Sequence, residues 1–156
     1  MLQETKIEGD ALLDLSKVKW KTKVGKAVSA RGTCDGLATL WEEDKFQLES
    51  SFQAQHWIYT ELWHLASKIT FAFFNLYVPI LYVEKKDCWQ TLSDILDAFS
   101  PKNIILAGDF NHIFDPKEKR GGTSSRDHCL PFVEDLIQQW DLLYFSQKRA
   151  LQLVKQ

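Results

Sequence analysis

The 156-residue chain is 45% hydrophobic and 26% charged, with 13% aromatic residues and a formal net charge of −2. That balance supports one domain with a real core and excludes the low-hydrophobicity class of disordered chains. It also argues mildly against a dedicated nucleic-acid-binding module, which is usually basic.

The amino terminus, MLQETKIEGD, has neither a basic n-region nor an apolar h-region, so it does not read as a secretory signal. Next, Lys17 to Lys26 (KVKWKTKVGK) alternates strictly. Lys17, Lys19, Lys21 and Lys23 fall on one side, and Val18, Trp20, Thr22 and Val24 on the other. The pattern predicts a half-buried edge strand whose lysines discourage pairing with other chains. The functional alternative is a basic rail for a polyanion backbone. Gly32 and Gly36 then mark a loop, and LATLW reads as a short buried strand.

KFQLES and HWIYTELWH are predicted strands, rich in aromatic and β-branched residues. KITFAFFNLYV is a nearly continuous apolar strand of the kind buried on both faces, closed by Val78-Pro79. The longest apolar stretch, ITFAFFNLYVPILYV, falls about five residues short of the ~20 needed to span a bilayer. A helix is predicted over 85–99, with Cys88, Leu92, Ile95, Leu96 and Phe99 on one face, stopped by Ser100-Pro101. NIILAG is the next strand, and 115–127 a polar, Gly-rich loop. A second helix is predicted from Pro131 to Tyr144, with Val133, Leu136, Ile137, Trp140 and Leu143 as its stripe. Cys34, Cys88 and Cys129 have neither zinc nor disulfide spacing and read as buried thiols in a reducing compartment. The chain reads as soluble and intracellular with no membrane partner, and as a mixed α/β domain with largely antiparallel sheets flanked by helices.

The chemistry is sought at strand ends. ILAGDFNHI (105–113) runs an apolar strand into Asp109 and Asn111, and α/β proteins keep their sites outside the carboxyl edge of the sheet. Tyr77 ends the long central strand, and Glu4 follows the apolar start. Hard cations such as Mg²⁺ take one or two carboxylates and keep several waters, so Glu4 and Asp109 suit an ion or its shell. Asn111 suits a phosphate oxygen or nucleophile, and Tyr77 a developing phosphoryl charge. Spacing alone leaves the duller readings open: a surface carboxylate, an ordinary Asx turn and a core aromatic.

LQETK at 2–6, RGTCDGLATLW at 31–41, NLYVP at 75–79 and ILAGDFN at 105–111 occur in the order seen in the endonuclease/exonuclease/phosphatase superfamily. The chain most resembles the endonuclease domain of plant LINE-type (non-LTR) retrotransposons, where GDFN is followed by segments similar to EKRGGTSSRD and FVEDLIQQWDLLYF. The resemblance implies a DNase I-like, four-layered α/β sandwich. It also implies Mg²⁺-dependent phosphodiester hydrolysis, with Mn²⁺ as the alternative ion and DNA or another phosphodiester as substrate. On its terms Glu4 is the metal-binding glutamate and Tyr77 the active-site tyrosine. Asp109 orients or activates the attacking water, and Asn111 orients the phosphate.

The same comparison predicts an incomplete domain, truncated at both ends. Residues 1–145 would be a partial domain and 146–156 a divergent tail, lacking a first strand with an active-site asparagine and a terminal Ser-Asp-His motif. The expected result is a remnant with weak or no endonuclease activity. Arg126-Asp127-His128 resembles that motif but precedes the second helix, so His128 reads as a decoy. His112 stands at a position variable in the resemblance, and His56 and His64 lie in strand-like segments without evident partners. The alternative from another class is a non-catalytic nucleic-acid- or protein-binding module using the Lys17–Lys26 face.

Overall fold

The computed structural model describes residues 1–3, 5–6, 8–19, 23–29, 36–112, 127–147 and 150–155. In chain order, helix α1 (Gly9–Lys19) precedes five strands: β1 (Lys23–Val28), β2 (Leu37–Glu42), β3 (Phe46–Ala54), β4 (Trp57–His64) and β5 (Ile69–Tyr77). Helix α2 (Tyr82–Phe99), strand β6 (Ile104–Asp109), helix α3 (Leu130–Gln139) and strands β7 (Leu142–Gln147) and β8 (Ala150–Lys155) follow.

Among the described residues the main sheet has the order β3-β4-β5-β6-β8-β7. Its pairs are antiparallel except β5 with β6, which run parallel. Parallel neighbours need a crossover, and α2 supplies it. Alternation along β5 then separates two faces. Ala72, Phe74 and Leu76 join Tyr59, Ile104 and Leu106 in a core with Cys88, Trp89, Leu92 and Leu96 of α2 and Val133 and Leu136 of α3. Contacts on the other side run from β2 to β4 and β5. The antiparallel pair β1–β2 forms a second sheet there, and α1 packs on β1. Helices, sheet, sheet and helix give the α/β sandwich with mainly antiparallel strands that the sequence predicts.

Two predicted elements are corrected. Lys17 and Lys19 lie at the end of α1, not on a strand, and Val18 is 77% exposed. The alternation there is a coincidence over a few residues. ALLDLSKVK consists largely of good helix formers, and basic residues in the last turn suit the macrodipole. Lys17 pairs with Asp14 at 3.3 Å on the helix surface. Lys23 and Lys26 sit on β1, so Lys17 to Lys26 is not a single strand; residues 20–22 lie outside the described ones. The second correction concerns α3, which stops at Gln139 rather than Tyr144. Asp141 takes a left-handed φ of 51°, and the Leu-Leu-Tyr-Phe run enters β7 instead. Strand β8 covers the flank of β6, so β6 is not an open edge.

Asn75, fully buried in β5, ties the two sheets together. Its Nδ2 donates to the carbonyls of Leu2 (3.2 Å) and Ala38 (3.0 Å), and its Oδ1 accepts from Gln3 Nε2 (3.2 Å). The amide thus stands where amino-terminal segment, β2 and β5 meet, beside the Leu2–Ala38 bridge. Asn75→Ala is expected to cost about 2 kcal/mol, because Gln3 loses one of its two acceptors and the two carbonyls lose a donor. Urea unfolding of both proteins measures it.

Candidate functional site

The parallel register of β5 and β6 sets Tyr77 opposite Asp109 at the carboxyl edge of the sheet. Beyond it the strands stay tied, since Val78 N–H donates to the Asp109 carbonyl at 2.8 Å. Gly108, at φ 150° and opposite Leu76, is what lets the strands end this way. A methyl group there would overlap the Leu76 carbonyl oxygen and Gln3 Nε2, which is hydrogen-bonded to that same carbonyl. Glycine is needed for the close approach.

Asp109 is exposed, and its Oδ1 accepts the Asn111 N–H at 2.9 Å, an Asx turn. Asn111 has a left-handed φ of 48°, a conformation asparagine tolerates better than most residues. Its Nδ2 donates to the Val78 carbonyl at 2.6 Å. A carboxamide nitrogen carries two hydrogens, and among the described residues one acceptor, the Val78 carbonyl, takes up one of them. Tyr77, Asp109 and Asn111, expected together from the sequence, are brought together. Glu4 lies outside the described residues; its neighbours are tied nearby, Gln3 to Asn75 and Leu76, and Thr5 N–H to the Gly36 carbonyl at 3.1 Å. The Asp109 carboxylate is the hard oxygen donor that a cation such as Mg²⁺ takes. Among the described residues no group of three or more His, Cys, Asp or Glu could hold an ion.

Behind this edge stands a buried network that the sequence reading missed. Lys85, only 5% exposed, donates to the Asn111 carbonyl at 2.7 Å and to Asp127 Oδ2 at 2.6 Å. The other oxygen of Asp127 accepts the Cys129 N–H at 2.9 Å. His112, 7% exposed, lies 3.0 Å from Asp127 Oδ2 through Nδ1. Trp89 Nε1 donates to its Nε2 at 3.0 Å, which places the ring proton on Nδ1. Burial holds the His112 pKa down to about 4, Asp127 opposing this and Lys85 reinforcing it. Burial pushes the Asp127 carboxyl up, but the bonds from Lys85 and Cys129 N–H outweigh it and the net shift is down. A lysine in phase with the apolar stripe Cys88, Trp89, Leu92 and Leu96 was the available sequence signal.

The remaining histidines take definite places. His128 is exposed and meets Tyr82 edge-on at 6.0 Å. His64 and His56 do have partners. His64 Nδ1 lies 2.7 Å from Ser67 Oγ, and the His56 carbonyl accepts the Tyr77 N–H at 2.8 Å. Burial lowers the His56 pKa against the pull of Glu84. Cys88 and Cys129 are buried, and Cys34 lies outside the described residues.

Solved structures share this arrangement of elements. An endonuclease/exonuclease/phosphatase family protein from Bacteroides thetaiotaomicron superposes with a TM-score of 0.66 at 13% identity, over 93% of this chain and 65% of its own. The fold is that of endonuclease/exonuclease/phosphatase proteins. A mannosyl-6-phosphatase from Bacteroides thetaiotaomicron VPI-5482 shares this endonuclease/exonuclease/phosphatase fold (TM-score 0.61, 14% identity, 93% of this chain and 67% of that one). So does the human Nocturnin catalytic domain with bound sulfate (TM-score 0.56, 13% identity, 94% and 65%). The chain thus spans about two thirds of the length of these endonuclease/exonuclease/phosphatase-fold structures. No family model matches the sequence, and no curated protein matches it. Among the described residues no helix is long and apolar enough to cross a membrane.

Proposed function

We propose that this chain is a metal-dependent phosphodiester hydrolase, a DNA endonuclease of the retrotransposon type. The observation that carries the reading is the parallel register of Tyr77 and Asp109, with Asn111 locked beside them on the same edge. The fold supports it, because phosphatases share that fold, and the GDFN and EKRGGTSSRD resemblance supports the endonuclease assignment.

In this reading Asp109 accepts a proton from the attacking water, its carboxylate oriented by the Asn111 N–H. The second Nδ2 hydrogen of Asn111 goes to a non-bridging phosphate oxygen, and the Tyr77 hydroxyl donates to charge that develops on the phosphoryl group. By the family resemblance Glu4 would hold Mg²⁺ or Mn²⁺, which supplies further charge stabilisation when bound.

The test is nicking of supercoiled plasmid with Mg²⁺, with Mn²⁺ and with EDTA, run beside phosphate release from a sugar 6-phosphate. Weak, metal-dependent nicking without phosphate release is the expected result. Phosphate release without nicking would replace the diester by a monoester substrate, and neither activity would overturn the hydrolase reading.

A further inference from the structure

We propose that Lys85 is a positioning residue for this reaction: its ammonium, oriented by Asp127, clamps the Asn111 backbone carbonyl and so aims the Asn111 carboxamide at the phosphate. The inference rests on the reading of Asn111 given above.

A lysine inside an apolar stripe needs an explanation, because an aliphatic side chain at that point of α2 would extend the core without burying a charge. Both partners of the ammonium point to the candidate site. One is the carbonyl of Asn111 itself; the other is Asp127, whose Oδ2 also meets His112, the residue after Asn111. The clamp therefore joins α2 to the residue beside Asp109 and to the start of the segment leading into α3.

Asn111 is held at three polar atoms: its N–H by Asp109, its Nδ2 by Val78 and its carbonyl by Lys85. The first two bonds come from the sheet edge and fix where the residue begins. Among the described residues only the third comes from outside the sheet, and it resists rotation of the peptide that follows. With φ at 48°, Asn111 occupies a sparsely populated conformation that persists only where its surroundings over-determine it. Without the clamp this conformation has one restraint fewer, and the carboxamide turns with the backbone. A displacement of about an ångström in such a group can cost up to about a hundredfold in rate.

The experiment compares Lys85→Met, Lys85→Arg and Asp127→Asn with the unaltered protein on a nicked-plasmid or bis(p-nitrophenyl) phosphate assay with Mg²⁺. In parallel, NMR follows the backbone N–H and side-chain amide of Asn111 by hydrogen exchange, with Phe74 and Leu106 as sheet references. Lys85→Met is expected to lower kcat about tenfold or more with KM nearly unchanged, and to speed exchange at Asn111 but not at the references. Lys85→Arg restores part of the kcat. Unaltered kcat and unaltered Asn111 exchange in Lys85→Met overturn the proposal. Should Lys85→Met not fold, Asp127→Asn decides it, because faster Asn111 exchange supports the clamp and unchanged exchange refutes it. If the unaltered protein hydrolyses nothing, the proposed function fails, whereas the exchange measurements still decide whether Lys85 holds Asn111.

Discussion

Asp109→Asn is expected to lower kcat for phosphodiester hydrolysis by about 10²-fold or more while leaving the fold intact, on the scale typical of general acid–base catalysis. The substitution keeps the shape of the side chain and an oxygen in place of Oδ1, so the 2.9 Å bond from the Asn111 N–H survives. What it removes is the negative charge and the capacity to take a proton from water. Because the Asp109 side chain is exposed and the residue is the last paired position of β6, the stability change should stay within about 0.5 kcal/mol. Asp109→Ala would lose the Asx turn as well and confound the two effects. Single-turnover rates with Mg²⁺, together with urea unfolding, separate them. A rate within twofold of the unaltered protein would remove Asp109 from the chemistry.

The second large effect is on stability. His112 is buried and neutral, its pKa held down to about 4 against an ordinary value of 6.5. A group whose folded pKa is depressed contributes its full stability above the unfolded value and loses it as pH falls toward the folded value. In that interval the unfolded chain binds the extra proton. Stability should therefore be level above pH 7 and fall by on the order of 2–3 kcal/mol between about pH 6.5 and pH 4. Asp127, also shifted down, acts in the same direction, but only below its ordinary 3.8. The upper part of the acid transition thus belongs to His112. Guanidinium unfolding at pH 7.5, 5.5 and 4.5 reads the slope, and His112→Gln should flatten it above pH 4.5. An equal slope in that variant would place the proton uptake elsewhere.

Much of the frame was legible because its signals are strong and local. Strand β5 announces itself by a continuous apolar run, β4 by its aromatics, and α2 by an apolar stripe ended before Pro101. The same register that aligns β5 with β6 brings Tyr77 to Asp109, so finding both strand ends amounted to finding this pairing. The errors came where two patterns overlap. Lys-Val-Lys at the end of α1 satisfies a period of two as well as a helical turn, and only the residues before it decide. At Asp141 a single left-handed residue ends a helix that the apolar spacing would have continued. The buried network was hidden for another reason. Its members, Lys85, Trp89, His112 and Asp127, are scattered along the chain, and each has an ordinary role when considered alone. Their meaning arises from tertiary contact, and only Lys85, out of character on its helix face, carries a local sign of it.

The single parallel pair in the main sheet also fixes an order of assembly. Strands β3, β4 and β5 form a meander of tight antiparallel turns, whose closure is local and fast. Nothing in that meander sets Tyr77 against Asp109, since β6 can align with β5 only after α2 has folded back across the sheet and the chain has completed its crossover. The edge where Tyr77 meets Asp109 therefore comes into being after the meander. A folding chain can hold much of its β-structure before it holds any site.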